Sequence, residues 1–163
     1  MPASGKSTIS NELAVLNNAV LFDTDTYIEK KQQLKISEIF NKFGENTFRE
    51  YERNALKEIV KNENVIVATG GGLPCLYDNM QLMNKVGKTI YLKVSAETLQ
   101  KRLLKDKNIR PLIKEKSEHE ILDYLKATIK KREVFYRQAN FIINAEKSIK
   151  EQISIINYLT EKT

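Results

Sequence analysis

Near the start of the chain, Gly5-Lys6-Ser7-Thr8 forms the second half of the pattern G-x-x-x-x-G-K-[ST]. In that pattern backbone N–H groups cradle phosphate oxygens, and the helix that follows turns its positive dipole end toward them. Lys6 would reach the β- and γ-phosphates of ATP, the Ser7 hydroxyl would ligate magnesium, and Ser4, Gly5 and Thr8 would complete the cradle. The first glycine of the pattern would fall one position before Met1. A bare GKST is a weak signal on its own. Here it opens a helix, and the apolar run after that helix ends in Asp23.

Asp23-Thr24-Asp25 follows that run, at the carboxyl end of a buried strand, where open parallel sheets place their ligands. One carboxylate beside Mg²⁺ and one aimed at a substrate hydroxyl would divide the labour of phosphoryl transfer. Taken alone, the pair favours a cap on the next helix, with Asp25 as the capping residue; placed beside a P-loop, it favours the catalytic reading. Gly70-Gly71-Gly72 follows a second apolar run; three bare residues let N–H groups approach a ligand closely, whereas a plain turn rarely needs three. Arg49 has Glu52 three residues on, close enough to hold its guanidinium. Arg132 stands in another helix, and two such arginines could fork onto one small carboxylate, although composition alone favours a solvated surface residue for each. Lys105, Lys107, Arg110, Lys114 and Lys116 lie in one basic segment, either a lid over ATP phosphates or a charged exposed loop.

These residues need elements to hold them. The periodicity predicts helices over 6–16, from about 26, around 36–43, through 48–60, near 79–84, and over 96–104, 118–137 and 149–159. Between them, 19–22 (AVLF), 65–69 (VIVAT), 89–94 (TIYLKV) and 141–144 read as short parallel-type strands. Strands alternating with helices imply a parallel α/β sheet covered on both faces. No repeat, low-complexity tract or Pro/Gly-rich linker interrupts the chain, so residues 1–163 are read as one domain. In this architecture the phosphate loop follows a central strand, and none precedes Met1. A sheet lacking it would leave backbone donors and acceptors unpaired, so the chain is expected to start late.

Composition narrows the classes. Hydrophobic content of 41% and charged content of 29% suit a soluble globular domain. No stretch approaches the roughly 20 apolar residues of a membrane span. The lone Cys75 rules out an internal disulfide and fits a reducing cytoplasm, and with the lone His119 it argues against structural zinc. Cys75 reads as a small packed residue and His119 as an exposed helix-start residue. A net charge of +6 invites a nucleic-acid reading, but no RNA- or DNA-binding signature accompanies it, and a polyanionic substrate also gathers basic residues.

Together the pieces resemble the shikimate kinases, of the nucleoside-monophosphate-kinase-like P-loop group. The matching residues are GKST at 5–8, DTD at 23–25, IF at 39–40, GE at 44–45, FR..E at 48–52, GGG at 70–72, RP at 110–111 and R...Y at 132–136. The match covers the whole chain except the family's first strand and first loop glycine. A gluconate or nucleoside monophosphate kinase would leave the DTD, FR..E and GGG set without a joint purpose, and so would an inactive nucleotide-binding regulator.

The resemblance implies a three-layer P-loop kinase fold with strand order 2-3-1-4-5, strand 1 being absent from this chain. It also implies substrate-binding helices at about 26–61, a lid at about 105–116, and phosphorylation of the shikimate 3-hydroxyl by ATP with Mg²⁺. The product, shikimate 3-phosphate, would serve aromatic amino-acid synthesis. Asp25 would hydrogen-bond the reacting hydroxyl, and Asp23 would support the metal through water. Arg49, Arg132 and the Gly71 backbone would hold shikimate, with Phe40, Phe48 and Pro111 as an apolar wall. Lys6 and Arg110 would act on the transferring phosphoryl group, and Arg102 with Asn144–Ala145 would flank adenine. A cytoplasmic monomer without nucleic-acid or membrane partners is expected.

Overall fold

The computed structural model describes residues 1–105 and 116–161. They form two compact units, Ser7–Lys88 and Met1–Lys6 with Thr89–Thr163.

In the Ser7–Lys88 unit, α1 (Lys6–Leu16) enters from the other unit's last N-terminal residue and buries Ile9, Leu13 and Ala14. β1 (Val20–Asp23) pairs in parallel with β2 (Val65–Ala68), Val20 opposite Val65 and Asp23 opposite Ala68. The chain leaves β1 directly into α2 (Thr24–Gln32), whose N-cap is Asp23. α3 (Ile36–Ile59) is two helical segments broken at Gly44. There φ is 78° and ψ is 176°, a region essentially reserved for glycine. The break therefore falls between the two helices that the periodicity predicts. Ile28 from α2 and Ile39, Phe48 and Ala55 from α3 form a buried cluster, with Tyr27, Leu34, Ile36, Phe40 and Tyr51 packed on it. The i, i+3 and i+4 spacing of apolar side chains on each helix produces that shared face. A short 3₁₀ turn at Leu73–Cys75, not anticipated from the pattern, carries the chain from the glycine triplet toward α4 (Asn79–Val86).

In the other unit, β3 (Ile90–Lys93) pairs in parallel with β4 (Phe141–Asn144), Ile90 opposite Phe141. α5 (Ala96–Lys105), α6 (Glu118–Tyr136) and α7 (Ile149–Glu161) accompany them. Leu99, Leu125, Ala145 and Ile156 are almost wholly buried, and the rings of Tyr91 and Tyr136 meet at 5.0 Å. Ser117 caps α6 through a reciprocal pairing with Glu120, so the helix starts where its side chains satisfy the free N–H groups.

The α/β class and the parallel strands agree with the sequence reading. The pairs β1–β2 and β3–β4 are the pairs 2-3 and 4-5 of the expected order. Strand and helix limits shift by a few residues at most, because terminal hydrogen bonds, not periodicity, decide them.

Candidate active site

Asp25, Arg49 and Gly71, three of the four residues expected to hold the acceptor, lie in the Ser7–Lys88 unit. β1 and β2 end level with one another at Asp23 and Ala68, so the loops that follow them emerge side by side. Thr24 is completely buried, and its hydroxyl oxygen accepts the Gly70 N–H at 2.8 Å, tying the acidic turn to the glycine triplet. Asp23 accepts the Thr26 N–H at 3.0 Å through Oδ1. The cap is therefore Asp23, not Asp25. Because the chain turns helical at Thr24, Asp25 projects from the first helical turn and not from the strand.

Asp25 and Glu52 both lie against Gly70. A methyl group built there would sit 2.8 Å from Asp25 Oδ1 and 2.9 Å from Glu52 Oε1. At Gly72 the same methyl would meet Arg49 Nη1 at 2.5 Å. Two glycines of the triplet thus leave room for this chain's own acid and base side chains. The Gly70 N–H, which the sequence pattern offered to a ligand, is already taken by Thr24.

Arg49 is held from two sides. Its Nη1 donates to Glu52 at 2.7 Å, while Nε and Nη2 donate to Glu45 Oε1 at 3.1 and 2.7 Å. Its guanidinium also approaches the Phe48 ring, 5.3 Å from the centroid. Burial alone would lower the Arg49 pKa, but the hydrogen bonds and charges of Glu52 and Glu45 outweigh it and the pKa is raised. Glu52 is wholly buried, which suits a carboxylate that has its own guanidinium. Phe48 is buried with its ring 4.6 Å from that of Phe40, so this pair backs the arginine with apolar surface. Gly71 is half-buried, and its carbonyl accepts the Cys75 thiol at 3.9 Å.

Phosphate-side residues are arranged differently. Ala3 (φ 54°) and Gly5 (φ 91°) are left-handed on either side of Ser4, an alternation that folds successive N–H groups toward one side. A methyl on Gly5 would meet nothing within 4 Å, so its φ alone calls for glycine. Buried Ser4 and the Lys6 ammonium both donate to the Met1 carbonyl at 2.9 Å. Ser7 and Thr8 are exposed at the start of α1. Arg102 donates to the carbonyls of Ala3 (3.3 Å) and Ala145 (2.8 Å), which puts the 144–145 segment beside the loop. Arg132 lies half-buried on α6 in this same unit, whereas Arg49 belongs to the other. Arg110 and Pro111 lie outside the described residues.

The shikimate kinase family model matches residues 2–161. The chain belongs to the shikimate kinase family. A shikimate kinase from Parabacteroides distasonis is 44% identical over 148 residues, covering 91% of this chain and 86% of that protein. A 1.7 Å crystal structure of the shikimate kinase from Bacteroides thetaiotaomicron superposes with a TM-score of 0.94 at 38% identity, covering 98% of this chain and 93% of that one. The Acinetobacter baumannii shikimate kinase, solved in complex with shikimate, has a TM-score of 0.84 at 31% identity, covering 97% and 88%.

Family membership explains why DTD, FR..E and GGG occur together: they are the residues that meet around Gly70 and Gly72. Sequence reading missed Thr24, whose burial has no signature in a polar tripeptide. It quoted Glu45 only as part of GE, although the i, i+4 spacing to Arg49 was visible.

Proposed function

We propose that this shikimate kinase family member transfers the γ-phosphoryl group of ATP to the shikimate 3-hydroxyl, in the pathway to chorismate and the aromatic amino acids. The observation that carries the acceptor-side reading is the convergence of Asp25, Glu52 and Arg49 on Gly70 and Gly72. It supplies a half-buried carboxylate for a hydroxyl beside a guanidinium for a carboxylate, the two ends of a hydroxylated acid.

Asp25 accepts a hydrogen bond from the reacting hydroxyl and takes its proton as the oxygen attacks phosphorus. Arg49 and Arg132 pair with the acceptor carboxylate and the Gly71 backbone supports it, while Phe40, Phe48 and Pro111 border the ring. Ser4, Gly5, Lys6, Ser7 and Thr8 hold the ATP phosphates, Lys6 exchanging its Met1 carbonyl for a phosphate oxygen. Arg102 keeps the 144–145 segment beside the loop and flanks adenine, and Arg110 acts from the 105–116 lid.

Magnesium would be held by Ser7 and, through water, by Asp23. Among the described residues no three His, Cys, Asp or Glu side chains are grouped to hold a metal. That fits an ion that takes one or two protein ligands and fills its shell with water and phosphate. Its chemistry is to neutralise charge on the β- and γ-phosphates. No described helix is long and apolar enough to cross a membrane. The proposal includes a single-domain cytoplasmic monomer that uses neither nucleic acid nor membrane.

The test is a coupled ADP-release assay with several acceptors. Shikimate should raise turnover sharply above the rate without acceptor, whereas gluconate and nucleoside monophosphates should not. Equal rates with all acceptors would reject the assignment.

A further inference from the structure

Arg49 is the assigned carboxylate receptor, yet two carboxylates already occupy it. A guanidinium offers two edges to a bidentate partner, Nε with Nη2 and Nη1 with Nη2. Glu45 Oε1 spans the first, at 3.1 and 2.7 Å, and Glu52 holds Nη1 of the second at 2.7 Å. An incoming acid cannot fork onto either edge without competing with a carboxylate of this chain. Three carboxylates around one guanidinium would repel one another, so one must leave.

The two are not equally able to go. The Glu52 side chain is 2% exposed and lies against Gly70, and leaving would cost a buried carboxylate its ion pair with the guanidinium. The Glu45 side chain is 64% exposed. It directly follows the Gly44 break, at the first turn of the restarted helix, where a carboxylate can face water and still gain from the helix N-terminus.

We propose that Glu45 is a built-in stand-in for the acceptor carboxylate, a specificity-setting residue that occupies the Nε–Nη2 edge of Arg49 in the empty site and is displaced when the acid binds. Glu45 keeps the guanidinium aligned for its ligand, and the cost of displacing it lowers the acid's apparent affinity. The inference rests on the assignment of Arg49 to the acceptor carboxylate.

Calorimetric titration of shikimate into the full chain and its Glu45→Gln and Glu45→Ala variants tests this. Loss of an exposed competing ion pair should tighten shikimate binding about three- to fivefold. A shikimate analogue with a hydroxymethyl group in place of the carboxylate should show no such gain, and ATP binding should not change. A residue that merely props up the helix would give weaker binding, never tighter. Unchanged or weaker shikimate binding in Glu45→Gln overturns the proposal, as does an equal gain for the neutral analogue. Arg49→Ala separates the two layers. If it leaves shikimate binding intact, the Arg49 assignment itself falls. If it weakens binding while Glu45→Gln does not tighten it, only the stand-in role is lost.

Discussion

The acceptor cluster and the phosphate loop both depend on glycine, for different physical reasons. At Gly72 the backbone is ordinary, with φ of −88°, and the missing methyl makes space for Arg49. At Gly5 the surroundings are open and the left-handed φ of 91° is what excludes other residues. One site is a set of side chains packed against bare backbone; the other is a backbone shape with few side chains in it. The same residue type therefore makes room for a side chain in one place and sets chain conformation in the other.

The largest test of this contrast is Asp25→Asn, which keeps the shape of the Asp25–Glu52–Arg49 cluster and removes the proposed proton acceptor. Turnover in the ADP-release assay should fall by about 10²–10⁴-fold, with KM for both substrates little changed. A loss confined to KM would make Asp25 a binding residue only.

Next come paired glycine substitutions. In Gly72→Ala the new methyl pushes Arg49 Nη1 away from buried Glu52, so the melting temperature should fall as that ion pair is strained. KM for shikimate should rise by about 10- to 100-fold, since small displacements at a positioning residue are costly, while KM for ATP stays put. Gly5→Ala should show the opposite profile. It costs about 1–2 kcal/mol through left-handed strain, seen as a lower denaturation midpoint, and weakens ATP in preference to shikimate. If both variants raised KM for the same substrate, the distinction between the two glycine roles would collapse.

How much of this was legible beforehand follows from the same contrast. GKST, DTD and GGG could be read because each is a short run whose chemistry depends on residue type. The Asp25–Glu52–Arg49 arrangement joins positions far apart in the chain, and the pattern offered only the local Arg49–Glu52 spacing. In the triplet, the pattern could not show that Gly70 spends its N–H on Thr24, a contact 46 residues away in sequence. The choice of cap between Asp23 and Asp25 depended on one residue, whether Thr24 ends the strand or begins the helix. Propensity does not resolve that, because Thr suits strands and caps alike. The break at Gly44 was legible as a gap between two helices, since a glycine between two apolar-periodic runs has few other uses.

The smallest predicted effect concerns how a carboxylate is held on each side. Glu52 is fixed by a guanidinium, whereas Glu146, next to the 144–145 segment, is fixed by neutral donors. The Ser95 hydroxyl, then Thr98 and the Ser95 N–H, lower its pKa from 4.5 to about 2. A depressed carboxylate pKa stabilises the fold fully above the unfolded value, and that contribution is lost as pH falls toward the folded value. The window is therefore from about pH 4.5 down to about pH 2. Ser95 also accepts the Thr98 N–H at 3.3 Å, so Ser95→Ala lowers stability at every pH through the lost helix cap. The Glu146 part differs because it depends on pH. The gap in melting temperature between wild type and Ser95→Ala should be widest at neutral pH and narrow through that acid window, leaving the cap contribution. A gap that stays constant from pH 7 to pH 2 would mean that the hydroxyl caps α5 without holding the Glu146 charge.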